Sequence, residues 1–253
     1  AVKTHKGLQE GGASVVSVES NSINPGNNGK LIHISGRVET SDSLTDDQFG
    51  IKVNALKLKR NVEMFQWVEQ QQKTKRKKIG GGEETVTTYN YVMQWHPSLL
   101  NSASFKEPNG HQNPAQMPYA KYANSASNVY LDKFIIPKGI LSKIAGYYSY
   151  SFDEIDTSLI SNAVLINDGV KSTVYVGNGS NASPVLGDVR VSFDIVAPGE
   201  YSIVAKQLNN TFEAFTTSNG TKLEMVESGV VSADSMFKSA IEGNKTLTWI
   251  LRF

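Results

Sequence analysis

With 253 residues, 39% of them hydrophobic and 19% charged, the chain has the make-up of a folded protein long enough to bury a sizeable core, as one large domain or two small ones. A net charge of +1 supplies no overall field for nucleic acid. The lack of cysteine removes disulfides, thiolate metal sites and a cysteine nucleophile together. No stretch approaches the roughly 18 apolar residues of a membrane span, and none reads as a signal-peptide core.

Residues 1–28, rich in Gly, Ser and Asn, read as a lead-in segment with one edge strand at Val15–Val18. Residues 29–253 read as a single large, mainly-β domain. Leu31–Val38 and Ile51–Ala55 are strand candidates. Between them, residues 41–47 suit a capped helical turn, because Ser, Thr and Asp favour N-caps.

From Leu56 the alternation becomes regular. Leu56, Leu58, Val62, Met64 and Val68 fall on one face, and Lys57, Lys59, Glu63, Phe65, Trp67 and Glu69 on the other. A second strand, Thr85–Trp95, puts Thr85, Thr87, Tyr89, Tyr91, Met93 and Trp95 on one face. Folding the pair about Lys78 sets Phe65 and Trp67 opposite Tyr91 and Tyr89, an aromatic-striped hairpin arm over residues 62–95. Residues 97–128 follow as a long irregular loop holding Pro97, Pro108, Pro114 and Pro118; such loops are usually functional or interaction segments.

Val129–Ile136 reads as a strand, Pro137-Lys138-Gly139 introduces a short helix at Ile140–Ala145, and a second helix is expected near Asp153. The last third reads as a run of hairpins. Val189–Ala197 alternates strictly, Pro198-Gly199 turns the chain into Tyr201–Lys206, and Asn219-Gly220 joins Phe212–Thr216 to Lys222–Val226. Ser232 caps a helix over Ala233–Glu242 that Gly243-Asn244 would stop. The fold class is therefore α+β and strand-rich, made of antiparallel hairpins with a long β-arm and a few short helices. The chain begins at Ala1 and closes in the apolar run Leu247–Phe253. That run reads either as a final core strand or as the edge of a domain cut from a longer, membrane-anchored protein.

Signals for chemistry are sparse. His33, between two isoleucines, reads as a strand residue. His96 and His111, beside or within the Pro-rich loop, could share a metal with a carboxylate, but no ligand spacing supports this. Glu83 and Glu84 point to opposite faces of a strand. Asp153, Glu154 and Asp156 are explained by a helix N-terminus. Gly177-Asn178-Gly179 mimics a phosphate loop without the helix that must follow. Neither a G-x-S-x-G nor an H-E-x-x-H motif occurs. No catalytic residue, metal or cofactor is assigned. Sequons at Asn178, Asn181, Asn209, Asn219 and Asn244 would matter only in a eukaryotic secretory compartment. The basic run Lys73, Lys75, Arg76, Lys77, Lys78 reads as a protected hairpin tip or as a contact for anionic headgroups; nucleic-acid binding is disfavoured by the near-neutral remainder.

Several segments carry a family resemblance. Met64-Phe65-Gln66-Trp67-Val68-Glu69, Gly80-Gly81-Gly82-Glu83-Glu84, Thr88-Tyr89-Asn90-Tyr91 and Trp95 lie in the arm. Asn28-Gly29-Lys30-Leu31 with Gly36, Gly110-His111-Gln112-Asn113-Pro114, Tyr175-Val176-Gly177, Gly187 through Phe193, and Asn244 with Leu247-Thr248-Trp249 and Arg252 lie outside it. Taken in chain order they cover nearly the whole chain and resemble the LUMA (transmembrane protein 43) family. The resemblance implies a multi-pass membrane protein whose large soluble domain lies on the luminal or extracytoplasmic side. It also implies a non-enzymatic scaffold that binds protein partners or itself, without established catalytic residues. The expected contact residues are Phe65, Trp67, Tyr89, Tyr91 and Trp95 on the arm, with Lys73, Lys75, Arg76, Lys77 and Lys78 at its tip touching protein or a membrane surface. The alternative is an extracytoplasmic ligand-binding or metal-dependent hydrolytic domain using His96, His111 and nearby carboxylates.

Overall fold

The computed structural model describes residues 1–250, with side-chain surroundings through Thr246. Two seven-stranded sheets share one core. The first is built on Leu31–Thr40 and Gly199–Leu208, which pair antiparallel from Gly199↔Val38 to Lys206↔Leu31. Val129–Leu131 and Phe134–Ile135 extend it on one side, Thr211–Glu213 and Met225–Ser228 on the other. Its two ends approach each other: Ile135 N donates to Asn210 O at 2.8 Å and Thr211 Oγ1 to Ile135 O at 2.9 Å, so the sheet curls nearly closed, like a barrel.

The second sheet runs in the order Ala163–Asn167, Ser172–Val176, Val189–Val196, Lys57–Lys77, Glu83–His96, all antiparallel. The period-2 patterns decide which side chains enter the core. Ile32, Ile34 and Ile203 from one sheet meet Leu58, Val62, Val191 and Phe193 from the other, all buried, with Phe49 edge-on to Phe193 at 5.7 Å.

Residues adjacent to those core positions on the first sheet, Leu31 and Val204, face the other way into a second apolar cluster with Leu8, Leu223, Met236 and Phe237. Two helices build this cluster: α1, Val2–Ser14, and α3, Ala233–Ile250; a third, α2, spans Lys138–Lys143 and sends Ile140 and Leu141 into the main core. Asn244 Nδ2 donates to Ala1 O at 3.2 Å, so α1 starts beside the far half of α3.

The strand-rich α+β class, the arm, the alternation at Val189–Val196 and the Asn219-Gly220 turn all stand, the turn joining Phe215–Thr216 to Lys222–Leu223. Several expectations are corrected. The lead-in holds its edge strand at Val16–Ser17, beside Ile32–His33, but also carries the unexpected α1; Gly7 and Gly11 dilute the apolar signal of that helix yet let it pack on Thr221, Leu223 and Phe237. Residues 41–47 form no helical turn: Leu44–Asp46 pairs with Ile51–Val53, because Leu44, Phe49 and Ile51 all enter the core, while Asp42 instead accepts from Ser127 N and Asn128 N. Val129–Ile136 is two short strands broken at Asp132, whose φ is 50°.

Near Asp153 there is no helix. Phe152 and Ile155 pack on the core, and the Asp156 carboxylate closes a turn by accepting from Ser158 N. Pro198-Gly199 joins no hairpin, since the strands it links belong to different sheets. Ser232 does accept from Ser235 N, but Gly243-Asn244 fails to stop α3, which runs to Ile250, so of the two readings of the closing apolar run the core strand does not hold over 247–250. Leu251–Phe253 lie outside the described residues. The loop 97–128 contains a helical turn at Ser102–Ser104 and a strand at Tyr122–Ser125 that pairs with Lys57–Arg60.

Candidate functional site: the clamped arm

The arm arises because one strand outruns its neighbours. Lys57–Met64 pairs with Val189–Val196, and the same strand continues to Lys77 with only Glu83–His96 beside it. The ladder pairs Phe65 with Trp95, Trp67 with Met93, Glu69 with Tyr91 and Gln71 with Tyr89. The expected pairing of Phe65 and Trp67 with Tyr91 and Tyr89 is therefore off by four residues. The turn is centred on Gly80 rather than Lys78: Lys78 N donates to Gly82 O, and Gly80, Gly81 and Gly82 all have positive φ, which makes a wide glycine turn that alternation alone does not locate.

The base of the arm is wrapped by the loop that follows it. On one face Gln66, fully buried, donates from Nε2 to Ser98 O and accepts at Oε1 from Leu100 N, both at 2.9 Å. Along the edge, Phe65 exchanges both backbone bonds with Gly187 and Asp188. One step further, where that neighbour has run out, the Asn113 side chain takes over: Oδ1 accepts from Trp67 N at 2.7 Å and Nδ2 donates to Trp67 O at 3.0 Å. On the other face the Glu69 carboxylate accepts from Tyr91 Oη at 2.8 Å and from Lys106 N, and Glu107 N donates to Tyr91 Oη at 2.8 Å. The backbone bond from Lys106 holds the Glu69 carboxyl below its ordinary range, while burial, with Glu69 beside it, pushes the Tyr91 phenol up. The His111 ring stacks on Tyr91 at 3.9 Å and meets Trp67 edge-on at 4.8 Å.

The aromatic residues thus divide. Trp67 and Tyr91 are engaged by the loop. Phe65 and Trp95 meet at a tilt with ring centroids 5.4 Å apart, and Trp95 meets Tyr175 edge-on at 5.9 Å, with the Arg190 guanidinium 4.5 Å over Trp95 and paired to Glu63 at 3.1 Å. Tyr89, half-buried, lies beyond the wrapped base. Lys73, Lys75, Arg76, Lys77 and Lys78 are all exposed at the distal end, where Lys75 meets Glu83 at 3.9 Å. Lys73, Lys75 and Lys77 share the face of Tyr89, with Arg76 on the opposite face. Ile79, at the tip, is fully exposed.

The histidines do not converge on one centre. His33 donates from Nε2 to Val231 O at 2.7 Å and accepts at Nδ1 from Ser17 Oγ at 3.0 Å, as befits a strand residue under a covering segment. His96 Nδ1 accepts from Ser98 N, and His111 Nδ1 donates to Glu107 O. Among the described residues no three His, Cys, Asp or Glu side chains gather as a metal site.

The phosphate-loop mimic at Gly177–Gly179 is occupied from within. The Asp188 carboxylate accepts from Asn178 N and Gly179 N at 3.0 Å, from Val185 N at 2.9 Å and from the Tyr175 hydroxyl. Burial raises the Asp188 pKa, but the bonds from Tyr175 and the three amides outweigh it and hold the carboxyl below its usual range. Gln66, Glu69, Asn113 and Asp188 are absent from the contact residues expected from sequence. All four lie in segments of the resemblance (Met64–Glu69, Gly110–Pro114 and Gly187–Phe193), but nothing in their spacing marked them as contacts between the arm and its surroundings.

The family model described as Transmembrane protein 43 matches residues 64–253. The chain is 30% identical to Transmembrane protein 43 of Homo sapiens and of Mus musculus over 264 residues, covering all of this chain and 64% of each relative. It is 26% identical to the Transmembrane protein 43 homolog of Drosophila melanogaster over 260 residues, covering 67% of that protein. The chain thus spans somewhat under two thirds of the length of the mammalian relatives it matches. No solved structure matches it significantly.

Proposed function

Because the chain belongs to the transmembrane protein 43 family, we propose that it is the extracytoplasmic, non-enzymatic part of a membrane scaffold, and that the distal arm, residues 70–90, is its docking element for a protein partner or a second copy. Among the described residues no helix is long and apolar enough to cross a membrane.

One observation carries the docking role. Residues 70–77 are exposed throughout and extend roughly 25 Å past the wrapped base at ~3.3 Å per residue. A two-stranded ribbon of this kind is marginal by itself and adds little to the stability of the body. Folding therefore gives no reason to maintain it, whereas contact with a partner does. Its outer backbone edges also lack a third strand, which suits strand addition by a partner.

The reading also narrows the contact surface. The Pro-rich loop and the aromatic base hold one another and have little left to offer a partner. The test is to replace residues 71–89 with an Asn-Gly turn joining Gln70 to Asn90, which keeps the ladder in register. The expected result is an unchanged melting temperature with loss of co-purifying partners and of self-association. Retention of both would remove the docking role.

A further inference from the structure

The tip of the arm combines two features with different explanations. Lys73, Lys75, Arg76, Lys77 and Lys78 put five cations within six positions, against two carboxylates, Glu83 and Glu84, across the ladder. Cations alone are accounted for as protection of an open strand edge. Ile79 is not. It is the only large apolar side chain in residues 73–84, it stands at the outermost turn, and its exposure of 108% means that no neighbour shields any of it. The turn that carries it is Gly80-Gly81-Gly82, with φ of 106°, 89° and 110°, so no side chain on that side screens the isoleucine either. An edge protected for solubility gains nothing from an unshielded isoleucine at its most prominent point.

An apolar point ringed by cations matches a membrane interface of negative charge. The cations lie level with anionic headgroups while the apolar side chain enters the boundary of the acyl region. Nucleic acid would use the cations but not the isoleucine, and an acidic protein groove would pair the cations but leave the isoleucine against charge. We propose that the tip of the arm, Lys73–Lys78 with Ile79, is a docking point for an anionic lipid surface. The proposal rests on the reading that this domain works beside a membrane. It assigns the tip, not the flanks of the arm, to lipid.

The chain has no cysteine, so Ile79→Cys gives a single site for an environment-sensitive fluorophore, and Lys52→Cys, an exposed position on the body, gives the control. The probes are vesicles of phosphatidylcholine alone and of phosphatidylcholine mixed with phosphatidylglycerol. The label at 79 should shift to the blue on the anionic vesicles only, and the label at 52 should not respond. In sedimentation with the same vesicles, Ile79→Ser should lower partitioning about tenfold. Each of Lys73→Gln, Lys75→Gln and Lys77→Gln should lower it about fivefold, and binding should weaken as salt rises. A silent label on anionic vesicles, or equal responses at 79 and 52, would overturn the proposal. If the silent tip nevertheless cross-links to a membrane protein, the lipid assignment fails while the docking role of the arm survives. If the shortened arm also keeps its partners, both fail.

Discussion

The side-chain amide of Asn113 stands in for a missing strand beside Trp67, accepting from its N–H and donating to its C=O at the step where the neighbouring strand ends. It closes the edge of the arm at one more residue and ties the loop 97–118 to it in the same contact. Asn113→Ala leaves both backbone groups of Trp67 without their partner. The expected loss is about 1–3 kcal/mol in denaturant unfolding, with faster hydrogen exchange at the Trp67 amide. Asn113→Asp keeps the acceptor and loses the donor, so it should fall between the two. An Asn113→Ala protein as stable as the parent would show that the loop is held elsewhere.

A second prediction concerns Asp188. Asp188→Asn replaces the acceptor of three amides and one phenol by a group that can accept at one oxygen only, and should cost about 1–3 kcal/mol at neutral pH. The Asp188 pKa is depressed in the fold, so its contribution is complete above the unfolded value near 3.9 and disappears as pH falls through the folded value. The stability gap between parent and variant should therefore hold from neutral pH down to about 4 and close below it. A gap that persists at strongly acidic pH would contradict the role of the charge. Gly177→Ala should be damaging for the same reason, because its Cβ would be driven into this carboxylate.

A third follows from the buried ion pair Asp46 and Arg60, whose Oδ2 and Nε lie 3.3 Å apart and have no hydrogen-bond partner among the described residues. Burial pushes the Asp46 carboxyl up, and Arg60 opposes that rise. Arg60→Met strands a buried carboxylate and should cost roughly 3–5 kcal/mol at neutral pH. With the opposing charge gone, Asp46 protonates more readily in the folded state. The Arg60→Met protein should thus regain stability as pH falls, and Asp46→Asn in the same background should restore part of it at pH 7. Equilibrium unfolding across pH decides both points.

A fourth tests the outer layer. A Cβ at Gly11 would collide with Leu223 and lie 2.9 Å from Phe237 Cε1, so α1 sits where only glycine permits. Gly11→Leu should displace α1 from α3, at a cost of about 1–3 kcal/mol, and raise exchange along 2–14 while leaving the amides of the two sheets protected. Uniform deprotection would mean that the helices and sheets unfold as one unit.

What could be read in the sequence divides along physical lines. Strict alternation at Val189–Val196 reports one face on a core, and it located a strand correctly. Alternation cannot report which sheet a strand joins. Hence Pro198-Gly199 looked like a hairpin turn although it carries the chain between sheets. The arm was evident from the length of its pattern, but a register shift by an even number of residues preserves both faces, so the four-residue error left no trace in the side-chain pattern. α1 escaped because Gly7 and Gly11, which look like helix weaknesses, are the points where it approaches its neighbours. The loop's grip on the arm was out of reach: Gln66, Glu69 and Asn113 act through polar contacts with backbone up to 46 positions away.

The strand that ends at the tip begins in the middle of the second sheet, bonded on both sides over Lys57–Arg60. The arm is thus a lever rather than a tether, with its fulcrum at Phe65, where the backbone bonds to Gly187 and Asp188 meet the Asn113 clamp one step away. One unbroken strand joins Lys77 to the core, so a load taken up at the tip reaches the second sheet along a single backbone.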